Sequence, residues 1–198
     1  VYVLPDNVKE NPKNRLTKKT GIYSRHICAD SEIASDLAQR AAEKLFTMGV
    51  EKDDIGYLLL CTQSPDYYLP TTACILQDKL GLSNDCGAVD INLGCSGYIY
   101  GLSLAKGLIE SGQWRKVLFL TAETYSKYIN EKDNTVLPLF GDAATATLIE
   151  AVNTDEPGLD GFVLGTNGAG YQNLIVPVGG MRQRMQDTEL VEETDEYG

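Results

Sequence analysis

The sequence predicts an α/β fold: a mixed, mostly parallel β-sheet covered by helices on both faces, three layers in all. Three observations predict it. Segments of strand character alternate with segments of helical spacing. The strand segments are apolar almost throughout rather than at every second residue, the pattern of strands buried on both faces. The helical segments end on glycines, Gly49, Gly81 and Gly112, which cut the elements to ordinary lengths.

Each element has its own signal. In SEIASDLAQRAAEKLFTM, residues 31–48, the residues Ile33, Leu37, Ala41, Leu45 and Met48 recur at helical spacing, with Ser31 and Glu32 as a start. IGYLLLC, residues 55–61, is a short apolar run and predicts a buried strand. TTACILQDKL, residues 71–80, predicts a helix closed by Gly81. Residues 86–92 predict the next strand, residues 97–111 a helix, and residues 117–122 (VLFLTA) another buried strand. AATATLIEA, residues 143–151, is rich in small and β-branched residues and predicts a strand, as does the stretch 161–166. From Gly179 onward the chain turns polar, acidic and aperiodic. The expected organisation is one unit over residues 1–178, then an acidic and disordered connection over residues 179–198.

Composition narrows the function classes. The formal net charge of −11 argues against nucleic-acid binding at large. No run of apolar residues is long enough to cross a membrane, and the first residues do not follow the pattern of a signal peptide, so the cytoplasm is the expected compartment. The chain opens on Val1 rather than Met, which suggests a start inside a longer gene product. Charge is unevenly spread: Asp187, Glu189, Glu192, Glu193, Asp195 and Glu196 crowd one end, and Lys9, Lys13, Arg15, Lys18, Lys19 and Arg25 form a basic stretch near the other. A basic stretch is either a solvated face or a site for an anionic group such as a phosphate. One histidine, His26, and five cysteines without a CxxC pair supply a zinc site poorly. Cys28, Cys61, Cys74 and Cys86 read as small, buried apolar side chains.

Cys95 is different. It stands in DINLGCSGYIYG, at the seam between the strand over residues 86–92 and the helix from Gly97. A strand-to-helix turn projects its side chain above the sheet end, and free backbone N–H groups at a helix start favour an anionic side chain. Gly94, Ser96 and Gly97 would let a substrate approach the backbone, and the Cys95 N–H could help stabilise an oxyanion. The spacing alone is equally that of a packed core cysteine at a helix start. A cysteine peptidase fits poorly, because His26 is the single histidine.

DINLGCSGYIYGLSLAKGLIESG resembles the active-site segment of the β-ketoacyl-[acyl-carrier-protein] synthase III family. KKTGIYSRHI, PDYYLPTTACILQDKLG, PLFGDAATATLIE and GTNGAGYQNLIVPVGGMR resemble further segments of that family, in the same order along the chain. The resemblance implies a thiolase-like half-fold, one of two similar halves that each hold a five-stranded sheet. It implies an acyltransferase of fatty acid or related lipid or polyketide synthesis, with Cys95 taking an acyl group from a thioester and a decarboxylative condensation with malonyl-[acyl-carrier-protein] following. No cofactor is implied; acyl-coenzyme A or an acyl-carrier-protein thioester is substrate. The implied partners are acyl carrier protein, acyl-coenzyme A and a second copy of the chain, with no nucleic acid and no membrane.

Other residues follow by position. Lys19 falls where the family has an arginine that meets coenzyme A phosphates, and Arg15 where an aromatic residue stacks on adenine. Asn134 replaces another arginine near the nucleotide. Two of three nucleotide contacts thus differ, which opens a carrier-protein thioester as the donor. Leu69 matches a position that reaches across the family's dimer interface to shape the acyl pocket. Asp142 reads as structural, His26 likewise, and Glu123 as either structural or a second polar group of the cleft. The family's histidine and asparagine belong to the other half, beyond Gly198, so this stretch alone is expected to be inactive. Two alternatives stay open: a hydroxymethylglutaryl-coenzyme A synthase-like enzyme, in which a glutamate acts as acid and base, and a non-catalytic acyl-binding partner subunit.

Overall fold

A computed structural model describes residues 18–133, 136–155 and 158–185. It divides into two units, Val1–Phe162 and Val163–Gly198. The first holds the sheet. In chain order its elements are α1 (Ala34–Thr47), β1 (Tyr57–Cys61), α2 (Thr72–Leu80), β2 (Gly87–Ile91), α3 (Gly97–Glu110), β3 (Lys116–Glu123) and β4 (Ala143–Glu150). Short 3-10 turns lie at Lys52–Asp54 and Tyr125–Tyr128. Among the described residues of the second unit, Gly168–Asn173 forms a further 3-10 turn.

The described sheet has four strands, where the resemblance implies five, in the order β2-β1-β3-β4. β2 and β3 flank β1 in parallel, with Leu59 opposite Val89 on one side and Phe119 on the other. β4 runs antiparallel to β3 and pairs Ala143 with Glu123 and Glu150 with Lys116.

Strand alternation sorts the apolar side chains into two cores. Leu58 and Leu60 of β1, with Leu118, Leu120 and Ala122 of β3, pack under α1 and α2, meeting Ala34, Ala38, Ala42, Ala73, Leu76 and Leu80. Leu59 and Cys61, with Val117, Phe119 and Ile149, face the other way and pack under Ala105 of α3. A one-residue slip of either strand would exchange the two sets, so both faces fix the register. The expected three layers are present.

Four expectations need correction. The buried stripe of α1 is Ala34, Ala38 and Ala42, one residue round from the expected Ile33, Leu37, Ala41 and Leu45; Met48 is 80% exposed. Alanines let the helix lie close on the sheet, and the larger neighbours fall to its flanks. Residues 161–166 form no strand. Arg25 is not part of an exposed basic stretch: it is 6% exposed, and its guanidinium donates to the Phe140 carbonyl. Cys74 is exposed on α2 and Cys28 is half-buried, so only Cys61 and Cys86 are the buried cysteines expected.

Among the described residues no helix is long and apolar enough to cross a membrane, and no group of three or more His, Cys, Asp or Glu could hold a metal ion.

Candidate active site

The site is built where β2 hands over to α3. After Ile91 the chain runs through Asn92, Leu93, Gly94, Cys95 and Ser96 to the first helical residue, Gly97. The Gly97 N–H donates to the Gly94 carbonyl at 2.8 Å, which closes a turn with Cys95 and Ser96 as its central residues. Ser96 is the N-cap of α3, and its carbonyl accepts from Ile99 and Tyr100 N–H. Cys95 therefore stands one residue ahead of the cap, and it is exposed.

The end of β1 holds this turn from beneath. Thr62 N–H donates to the Ile91 carbonyl at 3.1 Å, and the Cys61 thiol donates to the Leu93 carbonyl at 3.1 Å. Gly97 is buried against Cys61. A Cβ there would overlap the sulfur and stand 3.1 Å from the Leu93 Cβ. The sequence reading gave this glycine to substrate access; its absent side chain instead makes room for Cys61. A turn further on, Gly101 lies on the Phe119 ring, where a Cβ would come within 2.6 Å of three ring carbons. Tyr98 stacks on the same ring, centroids 5.4 Å apart.

Gly94 is covered by a different side chain. The Gln63 amide lies over it, its Oε1 2.7 Å from the place a Cβ would occupy. Behind Gln63 stands Glu123, at the end of β3. One carboxylate oxygen accepts from Gln63 N–H at 2.7 Å and the other from the Ser64 hydroxyl at 2.8 Å. Burial pushes the Glu123 carboxyl above its usual range, and the hydrogen bonds from Gln63 and Ser64 oppose that shift without cancelling it.

Asp142 is a structural hub. Its Oδ1 accepts from Ser126 N–H at 3.0 Å, and its Oδ2 from the Ser126 hydroxyl at 2.6 Å and Cys28 N–H at 2.9 Å. Burial alone would raise its pKa; these bonds outweigh burial and hold it below the usual carboxylate value. The backbone of His26 joins the same crossing, its carbonyl accepting from Asp142 N–H at 2.7 Å, while its side chain is exposed.

The remaining candidates lie apart from the turn in the chain. Leu69 is 82% exposed on the loop between β1 and α2, beside exposed Tyr67 and Tyr68, and precedes a cis peptide bond to Pro70. Lys19 is exposed. Arg15 and Asn134 lie outside the described residues. An open groove of about 670 Å³ runs between α3 and β4, lined by Tyr98, Leu102, Ile109 and Ile149 among others; none of residues 92–97 lines it.

One anchoring residue escaped the sequence reading. Asp90, five positions before Cys95, directs both carboxylate oxygens to the start of α2 and accepts from Thr72 and Ala73 N–H, each at 2.7 Å. Thr72 in turn accepts from Asp66 N–H through its hydroxyl. A carboxylate inside an otherwise apolar strand was the available signal, since such a group needs partners.

A sequence model of the 3-oxoacyl-[acyl-carrier-protein (ACP)] synthase III family matches residues 89–168, which include the turn. A beta-ketoacyl-[acyl-carrier-protein] synthase III of Caldanaerobacter subterraneus subsp. tengcongensis is 42% identical over 168 residues, 84% of this chain and 50% of that protein. The crystal structure of a 3-oxoacyl-(acyl-carrier-protein) synthase III superposes with a TM-score of 0.90 at 50% identity, covering 93% of this chain and 55% of the other. A 3-oxoacyl-(acyl-carrier protein) synthase from Burkholderia xenovorans LB400 superposes with a TM-score of 0.82 at 38% identity, over 90% and 51%. The chain spans about half the length of the curated relatives it matches. The fold comparisons agree with the thiolase-like half-fold that the sequence implied.

Proposed function

We propose, for a chain that belongs to the 3-oxoacyl-[acyl-carrier-protein] synthase III family, that Cys95 is the acyl acceptor of a condensing enzyme. One observation carries the reading: within the segment matching the family, Cys95 is exposed on a turn pinned by β1, ahead of the cap of α3. Such a thiol meets an incoming thioester without rearrangement of the core.

The chemistry runs in two steps. The Cys95 thiolate attacks the carbonyl of an acyl thioester; the bond to the donor sulfur breaks, the donor leaves as its thiolate and takes a proton from water, and the acyl group stays on the Cys95 sulfur. In the whole protein, a malonyl group on acyl carrier protein then loses carbon dioxide. Its α-carbon forms a bond to the acyl carbonyl carbon, and the Cys95 thiolate leaves. The N–H of Cys95 is a candidate oxyanion donor in both steps.

Lys19 is proposed to meet the phosphates of the donor and Arg15 to stack on its adenine, and Leu69 to lie at the interface with a second copy of the chain. The cytoplasm is the proposed compartment. Glu123, the carboxylate at the end of β3, gives both oxygens to Gln63 and Ser64. That engagement favours decarboxylative condensation over a mechanism in which a glutamate shuttles protons.

The test is acyl labelling of the full-length protein. Acetyl-coenzyme A and acetylated acyl carrier protein are supplied separately, and the adduct is located by peptide mass spectrometry. The expected adduct is on Cys95 and absent from Cys95→Ala. An adduct on another residue, or none from either donor, overturns the reading.

A further inference from the structure

We propose that Glu123 is a positioning residue for the Cys95 site: it fixes Gln63 so that the Gln63 side-chain amide lies beside the Cys95 turn and hydrogen-bonds the acyl thioester. The proposal rests on the reading of Cys95 as acyl acceptor.

The Gln63 backbone is held at both ends. Its N–H donates to Glu123, and its carbonyl accepts from the Tyr128 hydroxyl at 3.2 Å. The next residue is held as firmly. The Ser64 hydroxyl donates to Glu123 and accepts from Thr124 N–H at 2.9 Å, and Ser64 N–H donates to the Thr62 hydroxyl at 3.0 Å. Both oxygens of one carboxylate are thus spent on fixing two consecutive residues, exposed Gln63 and buried Ser64.

The side chain carried on this fixed backbone is not spent inside the protein. Gln63 is exposed, and its amide rests over Gly94, with Cδ 3.2 Å and Nε2 3.5 Å from the place of a Cβ. Any other residue at position 94 would push it away. A polar amide on a clamped base, lying on the backbone next to an exposed thiol, is suited to reading a ligand at that thiol. An acyl thioester presents a carbonyl, which accepts from an amide N–H.

The experiment measures two rates at Cys95 in the full-length protein, for wild type, Gln63→Ala, Glu123→Gln and the double variant. One is acylation by acetyl-coenzyme A across donor concentrations. The other is alkylation by iodoacetamide, which has no acyl carbonyl to read. Loss of one hydrogen bond to the donor predicts about a ten-fold lower acylation efficiency in each single variant, seen in KM. Alkylation stays within about two-fold, and the double variant is no worse than either single, because the two residues act in series. Unchanged acylation in Gln63→Ala overturns the proposal. So does an alkylation rate in Glu123→Gln that falls as far as acylation, which would mean that Glu123 only supports the turn. Additive losses in the double variant overturn it too. Gln63→Ala changes an exposed side chain, so the test survives if Glu123→Gln fails to fold. A wild-type protein that alkylates at Cys95 but takes no acyl group overturns the acyl-acceptor reading itself, and the proposal with it.

Discussion

Gly97, the first residue of α3, sits directly on the sulfur of Cys61, the last residue of β1, with no space between them for a Cβ. The start of the helix that follows the candidate nucleophile is thereby seated on the strand beside it. Because the Cys61 thiol also donates to the Leu93 carbonyl, one buried cysteine fixes the turn on both sides of Cys95.

Gly97→Ala should therefore destabilise the protein by about 1–3 kcal/mol, the usual cost of overpacking a closed site. Cys61→Ala removes the sulfur that the new methyl would meet. Urea unfolding of Gly97→Ala, Cys61→Ala and the double variant checks the relationship. The double variant should be more stable than the sum of the two single losses requires. Strict additivity would mean that the two residues do not meet.

Asp90 is an N-terminal cap supplied from a neighbouring strand, since Thr71, the N-cap of α2, makes no side-chain capping bond. Asp90→Ala leaves two N–H groups at the start of α2 without their carboxylate. Charge-assisted bonds of this kind support an expected loss of about 2 kcal/mol. Amide hydrogen exchange locates the effect: the first turn of α2 should open more readily than the rest of the helix. Uniform acceleration along α2 would count against a capping role.

These two relationships mark what the sequence could and could not convey. Apolar runs gave β1 and β3, and glycine stops gave the ends of α1, α2 and α3, because those signals are local. The two-faced burial of β1 follows from its unbroken apolar run, and two cores result. The stripe of α1 was misjudged because hydrophobicity favours Leu37 and Leu45, while the closest approach to the sheet goes to the small Ala34, Ala38 and Ala42. The antiparallel sense of β4 has no local signal. Arg25 looked like one more surface cation, and nothing near it in the sequence announces the Phe140 carbonyl, 115 residues away, that takes its guanidinium. At the candidate site, the strand-to-helix seam that carries Cys95 was legible, but its exposure was not, because the same spacing fits a packed core cysteine. Gln63 and Glu123 were not brought together, because a turn residue and a strand end separated by 60 positions meet only in the folded sheet.

Asp142 predicts a particular acid response. Its folded pKa lies below the ordinary value near 3.8, so it contributes stability that is fully present above that pH. The contribution is lost as pH falls through the lower folded value. Asp142→Asn should start less stable at about pH 6 and converge with wild type toward about pH 2 in urea midpoints. Parallel curves across that range would show that the Asp142 charge does not carry the effect. Glu123 has the opposite sign: its folded pKa is raised, so its ionisation costs stability as pH rises from the ordinary value near 4.5.

The five cysteines should separate under brief alkylation of the native protein. Reaction requires both access and a thiolate. Cys61 and Cys86 are buried, and burial raises both thiols above their ordinary value. Cys28 is half-buried, and burial, with Asp142 beside it, pushes it to about 11, so few of its molecules are thiolate at neutral pH. Cys74 and Cys95 are exposed. Iodoacetamide followed by peptide mapping should mark Cys74 and Cys95 first, Cys28 slowly, and Cys61 and Cys86 only once denaturant is added. The same experiment on Gly97→Ala extends the opening relationship. If the added methyl displaces the Cys61 sulfur, Cys61 gains reactivity in the native state while Cys86, on the opposite face of the sheet, does not. Equal gains at both sites would indicate general loosening of the fold rather than a local collision at the start of α3.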